Sequence, residues 1–150
     1  MNKAKLKEYE TLFLDTYPGG FGNPHFTDAM KKHSLDKLTK LAHETLGSEA
    51  LQDTDSSMEN FSKILGRSTM LSMFEKPKVK EFIRDLCNKD KKQLAMGLGN
   101  MHNGPDQAAG FSTMVEILRE GNLAKRTVIT AVPSYYNPLK EVFIKPTTAK

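Results

Sequence analysis

Between Lys3 and Thr16 the apolar residues Leu6, Tyr9, Leu12 and Phe13 fall on one stripe, with lysines and glutamates around them, which is the spacing of a surface helix. The stretch TYPGGFGNP stops it: Pro18 disfavours helical backbone at Tyr17, and Gly19 and Gly20 accept left-handed turns. Asn23 before Pro24 is a restart signal and predicts a second helix from Pro24 to about His33. Ser34 stands where a cap belongs, and Leu35, Leu38, Leu41, Ala42 and Leu46 trace a third helix ending at Gly47.

Residues 48–57 are mostly polar and predict a loop with at most one helical turn. Asp55 or Ser56 then heads a helix through Met58, Phe61, Ile64 and Leu65, ended or bent at Gly66. STMLSMF at 68–74 reads as a buried helical turn, and Pro77 opens a helix carrying Val79, Phe82, Ile83 and Leu86. The helix begun by DKKQLAM is expected to lose its pattern at Gly97, Gly99 and Gly104, since each glycine weakens a helix interior by about 1 kcal/mol. Pro105 restarts it, and Ala108, Phe111, Met114, Val115 and Leu118 carry a further helix to Gly121. TVITAV at 127–132 and EVFI at 141–144 are rich in β-branched residues and, with PSYYNPLK between them, predict a hairpin.

The expected fold is therefore a single, mainly α domain over residues 1–150. About seven helices occupy residues 1–121, and a C-terminal two-stranded β-hairpin extends over 122–150. A lone hairpin is only marginally stable in water, so it would lean on helices, pair with another chain or join a larger sheet.

Composition sets the function classes. The chain has 150 residues, 38% hydrophobic and 27% charged, with one cysteine, Cys87. No intrachain disulfide is possible, and a reducing, cytoplasmic location is expected. The polar start and the lack of a long apolar run predict no membrane role. Net charge is +4, but it is uneven: residues 76–150 hold thirteen basic and seven acidic side chains, a surplus of +6.

That surplus carries the leading functional expectation, a non-catalytic nucleic-acid-associated module. Lys76, Lys78, Lys80, Arg84, Lys91 and Lys92 lie on or beside one amphipathic helix; Arg119, Lys125 and Arg126 would extend the basic face, and Tyr135 and Tyr136 in the hairpin loop would stack on unpaired bases. A Lys-rich outer face is also ordinary for a soluble helix. The alternative is a protein-interaction or self-association domain that pairs through the unpaired edge of the C-terminal hairpin.

Weaker signals are set beside these. TYPGGFGNP reads as a joint between helices; an anion there would sit on the amides of His25 and Phe26, yet the loop has neither phosphate-loop spacing nor a preceding strand. His102, Asn103 and Asp106 offer a base beside orienting groups, or simply an exposed connector. His25, His33 and His43 have no metal-ligand spacing, and neither Asp90-Lys91-Lys92 nor Glu141 with Lys145 meets the nuclease pattern of an acid on one strand and an acid two residues from a lysine on the next. No catalytic residue, metal or cofactor is assigned.

Overall fold

Helix α1 (Lys3–Thr16) starts at Asn2, whose side-chain oxygen accepts a hydrogen bond from the Lys5 amide at 3.2 Å. The structure, a computed structural model, describes residues 2–47 and 49–145, and for Ala50 only the backbone. It divides into two compact units, Met1–Ser34 and Leu35–Lys150.

In the first unit, Gly19 and Gly20 take φ of 85° and 61°, so the chain turns where only glycine does so without strain. Phe13, Tyr17, Phe21 and Phe26 then gather, with ring centroids 4.9 to 5.8 Å apart. A 3-10 turn at Pro24–Phe26, capped by the Asn23 side chain, leads into α2 (Thr27–Lys32). Ser34 does not adopt an extended cap; its φ is 51°.

The second unit is built from six helices: α3 (Leu35–Thr45), α4 (Thr54–Arg67), α5 (Glu75–Asp85), α6 (Asn88–Asn103), α7 (Gln107–Glu120) and α8 (Arg126–Tyr136). The predicted loop before α4 contains one 3-10 turn, Ala50–Gln52, and Asp53 rather than Asp55 or Ser56 caps α4, accepting from the Ser56 amide at 3.2 Å. A reciprocal capping box opens α5: the Ser72 amide donates to Glu75 Oε2 at 3.0 Å, and the Glu75 amide donates to Ser72 Oγ at 3.2 Å. Of the 68–74 stretch, Leu71 is buried, but Met73 and Phe74 are 83% and 84% exposed, so it is not a buried turn of helix.

Helix α6 runs unbroken through Gly97 and Gly99. These glycines do not end the helix; Gly97 with Gly110 lets α6 and α7 approach until backbone lies on backbone, and Gly99 makes room for the Leu51 side chain. The core gathers Leu38, Ala42 and Leu46 of α3 and its end, Phe61, Ile64 and Leu65 of α4, Val79 and Ile83 of α5, Leu94 and Leu98 of α6, Met114 and Leu118 of α7, and much of α8.

The expected hairpin is replaced by helix. Residues 127–132 lie within α8, and no strand is present among the described residues. The cause is burial on several sides: Thr127, Val128, Ala131, Val132, Pro133, Ser134, Tyr135 and Tyr136 are all buried. An element apolar around much of its circumference belongs in a core as a helix, and β propensity yields to that packing. Residues 138–145 return along α8 without forming a strand; the Ile144 amide donates to Thr130 Oγ1 at 3.0 Å, and Phe143 packs on the core. EVFI is therefore not a strand, and no hairpin edge is present among the described residues; residues 146–150 of the expected hairpin extension lie outside them.

Candidate nucleic-acid interface

Helix α5 ends its first turn with Lys78 pointing outward, while Val79 goes to the core. Helix α8 begins with Arg126 after Lys125, and no side chain caps it. Because the Glu75 carboxylate accepts the Thr127 hydroxyl at 2.9 Å, the starts of α5 and α8 are tied together. The result is a cleft of about 630 Å³ lined by Lys78, Lys125, Arg126, Phe74, Glu75 and Thr127, among others. Cations far apart in the chain thus share one opening, at the positive end of the α8 dipole.

Glu75 is the single acid in that lining. Burial alone would raise its pKa, but hydrogen bonds from the Ser72 amide and the Thr127 hydroxyl, with the charge of Lys125, bring it below its ordinary value. It stays ionised and is committed to donors of the protein, leaving three cations against one carboxylate in the cleft.

The other predicted cations are arranged differently. Arg84 is engaged by Asp85, with Nε 2.7 Å from Oδ1 and Nη2 3.1 Å from Oδ2, and Glu81 lies 3.9 Å away. Those hydrogen bonds raise the Arg84 pKa and lower that of Asp85. Lys91 pairs with Asp55 at 3.8 Å. Lys80, Arg84 and Lys91 do line a second cleft, but Asp55 and Glu59 line it too. Lys92 is exposed in the first turn of α6 and Arg119 in the last turn of α7; Lys76 is half-buried. Of the predicted cations, the first cleft brings together Lys78, Lys125 and Arg126 and none of the others.

Tyr135 and Tyr136 are not in a loop and do not face solvent; they are 0% and 8% exposed in α8. Tyr135 Oη lies 2.9 Å from Ser68 Oγ, and burial raises its pKa. The exposed ring at the cleft is Phe74, which sequence reasoning placed in a buried turn. Its signal was available in the S-x-x-E spacing of Ser72 and Glu75, which puts the two residues between them at the open entry to a helix.

His102 and Asn103 close α6 beside Tyr136. The His102 ring stacks on Tyr136 with centroids 3.8 Å apart, His43 lies 4.6 Å from the same ring, and Asn103 Nδ2 donates to the Tyr136 hydroxyl at 3.0 Å. Asp106 does not orient the imidazole; it caps α7 by accepting from the Ala109 amide at 2.9 Å. Buried His102 Nε2 has no hydrogen-bond partner, and burial followed by the nearness of His43 pushes the His102 pKa down to about 4. The adjoining cavity is only about 60 Å³, which does not house a substrate.

In TYPGGFGNP the amides proposed for an anion are occupied: the His25 amide donates to Asn23 Oδ1 and the Phe26 amide to the Asn23 carbonyl, each at 3.0 Å. No group of three or more metal-ligating side chains gathers among the described residues. No helix among them is long and apolar enough to cross a membrane. No protein-family model, curated protein or solved structure matches the chain.

Proposed function

We propose that this protein is a non-catalytic module that docks on the phosphate backbone of a nucleic acid through the cleft between the starts of α5 and α8. The observation that carries this reading is the convergence of Lys78 with Lys125 and Arg126 around one opening. Three cations at a helix amino terminus match phosphates spaced along a strand, and the exposed Phe74 ring beside them offers a stacking surface for an unpaired base. Such contacts are indifferent to sequence.

Fluorescence anisotropy with a labelled single-stranded oligonucleotide, titrated over salt, tests the reading. With two to three phosphates neutralised, the log–log salt slope on a single strand is expected near about −2. Reversing Lys78→Glu, Lys125→Glu and Arg126→Glu together is expected to weaken binding by roughly tenfold or more, whereas Arg84→Glu, whose charge is already held by Asp85, changes it less than about twofold. Absence of binding at low salt, or equal losses from the two sets, contradicts the proposal. Phe74→Ala is expected to cost about 1 kcal/mol against single strands and nothing against duplex.

A further inference from the structure

Two hydroxyls line the cleft between the starts of α5 and α8, those of Ser72 and Thr127. Thr127 is 9% exposed, and its hydroxyl donates to Glu75. Ser72 differs: it is exposed, it lies in the connection between α4 and α5, and the Met73 and Phe74 that follow stand in solvent with it. An enzyme that modifies a hydroxyl must reach it and the chain on either side, and of the two only Ser72 allows that.

The surroundings of that hydroxyl suit a phosphate. Ser72 Oγ accepts the Glu75 amide at 3.2 Å, which sets it at the positive end of the α5 dipole. Lys78, Lys125 and Arg126 line the same cleft, and Glu75, whose carboxylate accepts the Ser72 amide at 3.0 Å, is its one acid. A phosphoserine at a helix amino terminus and opposite a cluster of cations gains charge-assisted hydrogen bonds, so three cations against one carboxylate favour it. The group would bring about −1.5 to −2 charges into that lining and cancel most of its positive field. Being tethered, it competes with a free strand at an effective concentration on the order of millimolar. The flanking charges also say which enzyme would act. Thr69, Met70 and Leu71 before Ser72 carry none, whereas Glu75 stands three residues after it.

We propose that Ser72 is the acceptor of a protein kinase that favours an acid three residues downstream, and that its phosphate, held by Lys78, Lys125 and Arg126, shuts the cleft to other polyanions. In the transfer, Ser72 Oγ forms a bond to the γ-phosphorus of a nucleoside triphosphate while the bond from that phosphorus to the β–γ bridging oxygen breaks. The diphosphate leaves with the electron pair, and the hydroxyl proton passes to the kinase's general base. The modification stands on Ser72 and its surroundings; the shutting rests on the phosphate-backbone docking proposed for this cleft.

The full chain, incubated with an acidophilic protein kinase and magnesium ATP, is expected to take up a phosphate on Ser72, located by mass spectrometry of a digest and absent from Ser72→Ala. No label on Ser72 overturns the site. Protein carrying phosphoserine at position 72 then gives two readings. Phosphorus NMR follows the second ionisation of the phosphate, which is expected to fall at a pH lower by at least about half a unit than in the same protein with Lys78→Ala, Lys125→Ala and Arg126→Ala. Superimposed titrations would show that these cations do not hold the group and refute the proposal. Anisotropy with a labelled single-stranded oligonucleotide at low salt is expected to show binding at least roughly tenfold weaker than that of the unmodified chain. Equal binding by the two forms refutes the shutting and leaves the docking intact. If the unmodified chain itself does not bind, the docking falls and the shutting with it, whereas the labelling and the phosphorus titrations decide whether Ser72 is modified and its phosphate held.

Discussion

Gly110→Ala is expected to destabilise the protein by about 3 kcal/mol, lowering the melting temperature by roughly 6–12 °C, as read by calorimetry or thermal circular dichroism. A Cβ built at Gly110 would collide with the Met101 backbone nitrogen, lie 2.6 Å from the Gly97 carbonyl oxygen and 2.9 Å from the Asn100 carbonyl carbon. All three are backbone atoms of α6, so no rotamer change relieves the clash; α6 and α7 must move apart. Alanine's better helix propensity returns only about 1 kcal/mol.

Two other glycines set the scale. A Cβ at Gly97 would meet the Gly110 carbonyl oxygen at 3.1 Å and Thr113 side-chain carbons at 3.2 Å, so Gly97→Ala is expected to fall between mild and severe. Gly66 lies in α4 with nothing within 4 Å of its Cβ position. Gly66→Ala therefore keeps the propensity gain and stabilises by about 0.5–1 kcal/mol. The same chemical change should thus produce opposite signs in one protein. Equal effects at Gly66 and Gly110 would show that the α6–α7 backbone contact is not what the glycine provides.

These glycines also show where sequence reading stops. Spacing of apolar residues located α1, α3, α4, α5 and α7 closely, because each carries one apolar stripe among polar residues, buried in all but α1. It failed at α6, where Gly97 and Gly99 look like helix breakers until their neighbours, α7 and Leu51, are known. It failed again at α8, because the β-branched residues Val128, Ile129 and Val132 read as strand while the segment is buried on several sides as a helix. The candidate site was legible only as a set of cations: charge counting named Lys78, Lys125 and Arg126 among others, but not that these three line one cleft or that Asp85 and Asp55 engage Arg84 and Lys91, because those placements depend on side chains. Tyr135 and Tyr136 were misplaced with the hairpin, and so a structural pair was read as a stacking surface.

Acidification is expected to weaken the fold through His102, and His102→Phe is expected to remove most of that effect. The imidazole lies against Tyr136, with its buried Nε2 unpartnered and His43 near the same ring. Lys140 and Glu141, from the segment after α8, line the adjoining cavity. Burial is the main reason its pKa falls from 6.5 to about 4, with His43 second. The folded state therefore holds His102 neutral down to about pH 4, while the unfolded chain takes up the proton below pH 6.5. Its contribution is fully present above pH 6.5 and is lost as pH falls towards about 4, where the folded protein takes up the proton as well. At about 1.4 kcal/mol per unit, the loss across that window is roughly 3 kcal/mol. Urea unfolding at several pH values reads this directly as a midpoint that drops below pH 6.5. Phenylalanine keeps the stack on Tyr136 and removes a buried nitrogen that pairs with nothing, so His102→Phe should be neutral or slightly stabilising at pH 7. Carboxylate titrations remain in both proteins, so the decisive quantity is the difference between them: it should grow by roughly 3 kcal/mol from pH 7 to pH 4 in favour of the variant. Parallel pH profiles would mean that His102 is solvated in the folded protein and that Tyr136 does not hold it out of water.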